Sequence, residues 1–216
     1  TTNMNANEVI ANRALEIMGY QRGEYTYCSP NDHVNMSQST NDAYPTSIRI
    51  GLYYTHLELL KHFKELIGSF RKKSDEFATI IKMGRTQMQD AVPMTLGQTF
   101  GGFASILNDE IRNLEFAAEE LLTVNMGATA IGTGICAVPG YAEKCVAAIS
   151  DITGFEFKLS GDLVGATSDS SSMIGYSAAM KRVAAKMNII CNDLRLLSSG
   201  PRCGFNEINL PAMQPG

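Results

Sequence analysis

No apolar run in this chain of 216 residues approaches the roughly 20 residues that a bilayer-spanning helix needs, and the N-terminus lacks a charged segment followed by an apolar signal core. A cytoplasmic protein without a membrane partner is expected. Basic blocks are absent too. The 18 Lys and Arg and 22 Asp and Glu leave a formal charge of -4 spread over both signs, which argues against nucleic acid as a partner. Small molecules or sister subunits remain. Cysteine is sparse and odd in number: Cys28, Cys136, Cys145, Cys191 and Cys203 form no C-x-x-C, and no His lies near them at metal-ligand spacing. Free thiols in a reducing compartment and no tightly held metal are expected. His33, His56 and His62 are scattered, and His56 and His62 fall within a helical pattern that points to helix-surface roles.

What the chain has is helical periodicity, with 44% hydrophobic residues to fill a core. Over residues 46–81, Leu52, Leu59, Phe63, Leu66, Phe70 and Phe77 recur at spacings of three, four or seven, with charged residues between them. Over residues 94–124, Phe100, Phe103, Leu107, Ile111, Leu114, Ala118 and Leu121 repeat the pattern up to a glycine-rich break. Over residues 170–199, Met173, Tyr176, Met180, Val183, Met187, Ile190, Leu194 and Leu197 step by three or four. That Met-containing stripe reads as core filling in preference to an adaptable ligand surface. Residues 5–18 add a shorter helix, and only residues 155–159 alternate as a strand does. Three helices of such length, apolar on more than one face, imply an elongated bundle that associates with further helices.

Polar residues gather at the helix ends. Ser37-Gln38-Ser39-Thr40-Asn41-Asp42 precedes the first long helix, whose first turn suits Pro45. Unpaired N–H groups and partial positive charge at a helix N-terminus favour a carboxylate or phosphate, although one Ser or Thr suffices for an ordinary cap. Gly84-Arg85-Thr86-Gln87-Met88-Gln89-Asp90-Ala91-Val92-Pro93 lies between two helical patterns and carries more donors and acceptors than turning the chain requires. By itself it is equally a pair of caps, Thr86 and Asp90, with solvated Gln87 and Gln89. Gly127-Ala128-Thr129-Ala130-Ile131-Gly132-Thr133-Gly134 permits close backbone approach but lacks the Gly-Lys-Ser/Thr ending of a nucleotide loop. A fourth polar stretch, residues 198–208, follows the third long helix.

In these stretches the chain resembles the aspartase/fumarase superfamily, most closely the bacterial aspartate ammonia-lyases. The resemblance rests on Asn3-Met4-Asn5-Ala6-Asn7-Glu8-Val9, Pro30-Asn31-Asp32-His33-Val34-Asn35, and residues 37–42, 84–98, 127–134 and 198–211, in family order over nearly the whole chain. Gly84-Arg85-Thr86-Gln87 is similar to the aspartases, where class II fumarases usually have His at the position of Gln87; Asn206-Glu207-Ile208-Asn209-Leu210-Pro211 also looks like the aspartase version.

The resemblance implies an all-α fold: an elongated helical bundle with three of the long central-domain helices, residues 1–216 forming one central domain. It implies a carbon–nitrogen lyase that takes the Cβ proton from L-aspartate, passes through an aci-carboxylate and releases ammonia and fumarate. Ser39, Thr40 and Asn41 are then expected to bind one carboxylate and the amino group, and Thr86 and Gln87 the region of the other carboxylate, in a site shared between subunits of a homotetramer. No cofactor is implied, and divalent-metal activation of a longer enzyme is left open. In the family, a Gly-Ser-Ser-x-Met-Pro-x-Lys-x-Asn loop follows the block at residues 206–211 and supplies the Ser base; the sequence ends at Gly216 where that loop would begin. No catalytic residue is therefore expected within residues 1–216. The N-terminal domain, the loop, two central helices, the C-terminal domain and a Thr just upstream of Thr1 are expected to be missing, and these residues alone to be inactive. The alternatives are a class II fumarate hydratase and a non-catalytic helical oligomerisation module.

Overall fold

Helix dominates the computed structural model, which describes residues 1–213. In chain order the elements are α1 (Thr2–Ile17), a π-turn (Pro30–Val34), α2 (Thr40–Glu76), β1 (Ile81–Thr86), β2 (Gln89–Thr95), α3 (Leu96–Glu119), β3 (Thr123–Val124), α4 (Tyr141–Thr153), β4 (Lys158–Leu159), α5 (Leu163–Ser168) and α6 (Ser171–Leu197). α2, α3 and α6 contain 37, 24 and 27 residues, two to three times the usual ~11 to 12, as the periodicity predicts. The end of the chain, where the resemblance puts the start of the Ser-Ser loop, lies outside the described residues.

Two compact units form. The first comprises Thr1–Leu57 and Ala117–Ile174. Its core joins Val124, Met126, Val146 and Phe157, with Ala43, Ile50, Tyr141, Ile149 and Phe155 packed against them. The alternating stretch at residues 155–159 yields only the two-residue β4, which pairs in parallel with β3. α4 is a helix that the periodicity reading leaves out. It is bounded by left-handed Gly140 and Gly154, and the latter's N–H closes the last turn on the Ser150 carbonyl. His56 corrects the surface expectation: it is buried within α2, its ring 6.0 Å from that of Tyr53. His62 is exposed beside Glu65, as expected.

The second unit comprises Glu58–Phe116 and Gly175 onward. Phe70, Phe77, Phe100 and Phe103 pack against one another, three pairs edge-on and Phe70 with Phe100 tilted, with ring centroids 5.3–6.1 Å apart. Glu110 of α3 is fully buried and carries a charge, which is costly unless paired. Lys186 Nζ at 2.5 Å and Arg182 Nη2 at 3.1 Å, both from α6, supply the pairing, and Asn113 donates a further hydrogen bond at 3.1 Å. Burial pushes the Glu110 carboxyl up, but these partners outweigh it and hold it below the ordinary value. The Met stripe of α6 is half-buried around the buried Tyr176, Val183, Ile190 and Leu197.

Residues 84–93 are not a bare connection between helices. They form most of an antiparallel hairpin in which Ile81 pairs with Thr95, Lys82 with Met94 and Thr86 with Gln89. The ladder shifts register between Met83 and Arg85. Gln87 and Met88 make the two-residue turn with φ of 51° and 63°, the left-handed pair that a hairpin's twist demands and that Asn-Gly usually supplies.

Candidate functional site

The N-terminus of α2 is a capping box. Ser39 Oγ accepts from the Asn41 N–H at 3.2 Å, and the Ser39 N–H donates back to Asp42 Oδ1 at 2.9 Å. The helix thus starts at Thr40 and places Pro45 inside it, not at its first turn. Proline has no N–H, so the carbonyl of Asn41, four residues earlier, loses its helical partner. Asn125 supplies the replacement: its Nδ2 donates to that carbonyl at 3.1 Å and to Thr167 Oγ1 at 3.2 Å.

Asp42 and Asn41 fasten this helix end to the glycine-rich loop. Asp42 is fully buried, and its Oδ2 accepts from the Thr129 N–H at 2.7 Å. Asn41 Nδ2 donates to the Ala130 carbonyl at 2.8 Å. The loop runs too close to its neighbours for side chains at two positions: a Cβ at Gly127 (φ +89°) would lie 2.4 Å from that of Ala142, and one at Gly132 (φ +96°) 2.3 Å from Val164 Cα. Burial raises the Asp42 carboxyl above its ordinary value, and the backbone N–H groups around it only partly offset this. Burial likewise pushes up the Cys145 thiol, with the Asp42 charge adding to it.

Of the predicted substrate-binding residues, Ser39 is half-buried while Thr40 and Asn41 are exposed on this braced helix end. Thr40 Oγ1 accepts from Asn3 Nδ2 at 3.4 Å, and Asn7 Nδ2 donates to Asn35 Oδ1 at 2.9 Å, so α1 is tied to the same corner. The structure brings Ser39, Thr40 and Asn41 together in the first unit. Thr86 and Gln87 belong to the second unit, exposed at the hairpin turn.

The hairpin is in turn pinned to the segment after α6. Arg85 Nη2 lies 2.5 Å from Glu207 Oε1, and its guanidinium sits 3.9 Å from the centroid of the Phe205 ring. Lys82 Nζ stands 2.9 Å from Glu207 Oε2, at ion-pair distance but off a hydrogen bond's angle. Burial pushes the Glu207 carboxyl up, yet the two cations prevail and hold it below the ordinary value. Asp42, Asn125 and Glu207 were not singled out from the sequence as site residues. The signal for Asn125 was indirect: a proline five residues into a capped helix requires a donor for the carbonyl it strands.

All five cysteines are free thiols, as expected. Among the described residues no group of three or more His, Cys, Asp or Glu is spaced to hold a metal ion, and no helix is long and apolar enough to cross a membrane.

A family model described as Lyase matches residues 1–216. An aspartate ammonia-lyase from Pseudomonas canavaninivorans is 58% identical over 217 residues, covering 100% of this chain and 46% of the relative. One from Escherichia coli K12 is 54% identical over 216 residues, covering 100% and 45%. The chain therefore spans less than half the length of these relatives. A solved structure described as fumarate lyase:delta crystallin from Brucella melitensis, bound to cobalt, superposes with a TM-score of 0.97 at 52% identity, covering 100% of this chain and 47% of that one. A class II fumarase from Schistosoma mansoni gives 0.91 at 34% identity, covering 100% and 48%.

Proposed function

The chain belongs to this lyase family, within the aspartase/fumarase superfamily, and on that premise we propose that its residues are part of an enzyme that deaminates L-aspartate to fumarate and ammonia. The observation that carries the proposal is the 54–58% identity, over the whole chain, to relatives named aspartate ammonia-lyase. A class II fumarase is matched at 34%, and Gln87 stands where such fumarases usually have His; ammonia is therefore preferred to water as the leaving group.

In the proposed reaction a base takes the Cβ proton, and the electron pair moves into the adjacent carboxylate to form a doubly charged aci-carboxylate. The pair then returns to form the C=C bond as the C–N bond breaks, and the nitrogen leaves as ammonia. The barrier is dominated by the charge on that carboxylate, so donors already aimed at it are the main contribution, each worth ~3 kcal/mol. Ser39, Thr40 and Asn41 would hold one carboxylate and the amino group, helped by the partial positive charge of the α2 N-terminus. Thr86 and Gln87 would meet the region of the other carboxylate. Nothing in this scheme assigns a base within residues 1–216, and these residues alone are expected to be inactive. A homotetramer, a cytoplasmic location and the lack of a resident cofactor remain part of the proposal.

The test is fumarate formation by a protein of the relatives' length that contains these residues. Thr40→Val and Gln87→Ala should each lower kcat/KM by about 100-fold, which corresponds to the loss of one aimed donor. Unchanged rates in both variants, or hydration of fumarate without ammonium-dependent amination, would sink the proposal.

A further inference from the structure

Burial along β1 changes phase at one point. Ile81 and Met83 are exposed while Lys82 is half-buried and Gly84 buried, the alternation of any strand, but Arg85 is half-buried in its turn and Thr86 exposed. The ladder breaks at the same place. Met83 pairs with Pro93 and Arg85 with Asp90, so Ala91 and Val92 of β2 together stand opposite Gly84. A Cβ at Gly84 would lie 2.8 Å from the Val92 carbonyl oxygen, so the break is closely packed. Had the alternation run on, Thr86 would share the inward face of Lys82 and Gly84, and Arg85 would reach into solvent.

Arg85 is kept inward by the segment after α6. A guanidinium drawn away from water is costly unless a carboxylate meets it, and Glu207 Oε1 does so while the Phe205 ring covers the flat face. The Arg85 and Glu207 side chains are each 19% exposed, so the pair is shielded from most of the water that weakens a surface ion pair. Lys82 meets the other oxygen of the same carboxylate. In an unbroken strand Lys82 and Arg85, three residues apart, would lie on opposite faces; here one residue holds both. Glu207 itself is firmly seated. Its N–H donates to the Leu197 carbonyl at 2.9 Å and the Asn206 N–H to that of Ser199 at 2.7 Å, while the Phe205 N–H donates to Ser199 Oγ at 3.1 Å. The carboxylate is thereby set by the C-terminal end of the 27-residue α6.

We propose that Glu207 is a positioning residue: acting through Arg85, it holds the change of phase that turns Thr86 outward and sets the Gln87 turn beside it. The inference rests on the proposed function for what Thr86 and Gln87 would touch, and on the hairpin alone for what Glu207 holds. Glu207 meets no substrate atom in this scheme.

The experiment has two arms. In a protein of the relatives' length, Glu207→Gln and Arg85→Lys should each lower kcat/KM for L-aspartate by about tenfold, the scale of loss for a displaced binding group. In a Thr86→Val, Gln87→Ala background, Glu207→Gln should cost less than about twofold, because the groups it positions are gone. In the chain of 216 residues, Glu207→Gln should speed amide hydrogen exchange at residues 85–90 at least about tenfold more than at residues 81–83. Far-ultraviolet circular dichroism shows whether each variant folds, and Arg85→Lys carries both arms if Glu207→Gln does not. Unchanged kcat/KM in both variants, an equal loss in the Thr86→Val, Gln87→Ala background, or equal acceleration of exchange along β1 would overturn the inference. A wild-type protein of the relatives' length that forms no fumarate would sink the proposed function instead, and the exchange pattern would still decide whether Glu207 holds the hairpin tip.

Discussion

The start of α2 and the tip of the β1–β2 hairpin are both polar corners, yet they are built in opposite ways. At the first, Thr40 and Asn41 stand on a helix end that Asp42 and Asn41 fasten to the glycine-rich loop, while Asn125 holds the Asn41 carbonyl. At the second, Thr86 and Gln87 sit on a two-residue turn, and the fastening lies several residues back, where Glu207 holds Lys82 and Arg85. One corner is rigid by burial and the other is anchored at its base. Their key carboxylates are shifted in opposite directions as a result: burial raises Asp42, while cations lower Glu207.

The largest expected effect breaks the first corner. Asp42→Ala strands the buried Thr129 N–H and the Ser39 N–H together, at about 1–3 kcal/mol for each unmatched group, so a loss of about 2–6 kcal/mol is expected in urea unfolding. A loss below about 0.5 kcal/mol would mean that the corner is not held by this residue. Asp42 also has a pH signature. Its pKa is higher folded than unfolded, so the folded state binds the proton more tightly, and its contribution falls as pH rises from the ordinary Asp range through the folded value.

Glu207 tests the other corner with the opposite sign. Its folded pKa is depressed, so its stabilisation is fully present above the ordinary Glu value and is lost as pH falls through the folded value. Glu207→Gln should cost about 1–3 kcal/mol at neutral pH and flatten that acid-side loss, with the other lowered carboxyls, Glu110, Glu16 and Asp169, left to account for the remainder. A variant whose pH profile ran parallel to wild type would show that the Lys82 and Arg85 contacts do not hold the hairpin.

Asn125→Ala is the milder break of the first corner. It removes the donor to the Asn41 carbonyl, so about 1–2 kcal/mol should be lost, and Asn125→Ala with Pro45→Ala should recover part of that by restoring the helical N–H. If the pair were simply additive, Asn125 would not be serving the proline.

The three long helices were legible because apolar spacing of three and four is a local property that burial later rewards. α2 still began six residues before the periodic stretch, since the Ser39 and Asp42 capping box outranks the proline signal. α4 was legible in principle, with Tyr141, Cys145, Val146 and Ile149 spaced by helical steps between two glycines. The hairpin was hidden because its turn is Gln-Met and its strands carry Lys, Arg, Gln and Asp. Ser39, Thr40 and Asn41 could be named from their crowding at a helix start, whereas the burial of Glu110, His56 and Arg49 depends on distant partners that no local pattern announces.

The smallest effect sharpens the comparison most. Gln87 and Met88 both hold left-handed φ, a conformation that costs side-chain-bearing residues about 1–2 kcal/mol and glycine almost nothing. Met88→Gly and Gln87→Gly should therefore each stabilise the fold by about 0.5–1 kcal/mol, after the added flexibility of the unfolded chain is counted. Their effects on fumarate formation by the proposed enzyme should differ. Met88→Gly leaves the rate near wild type, and Gln87→Gly lowers it, because only Gln87 carries an amide proposed to meet the substrate. Equal losses of rate would locate the function of this corner in the shape of the turn, and equal retention would remove Gln87 from the site.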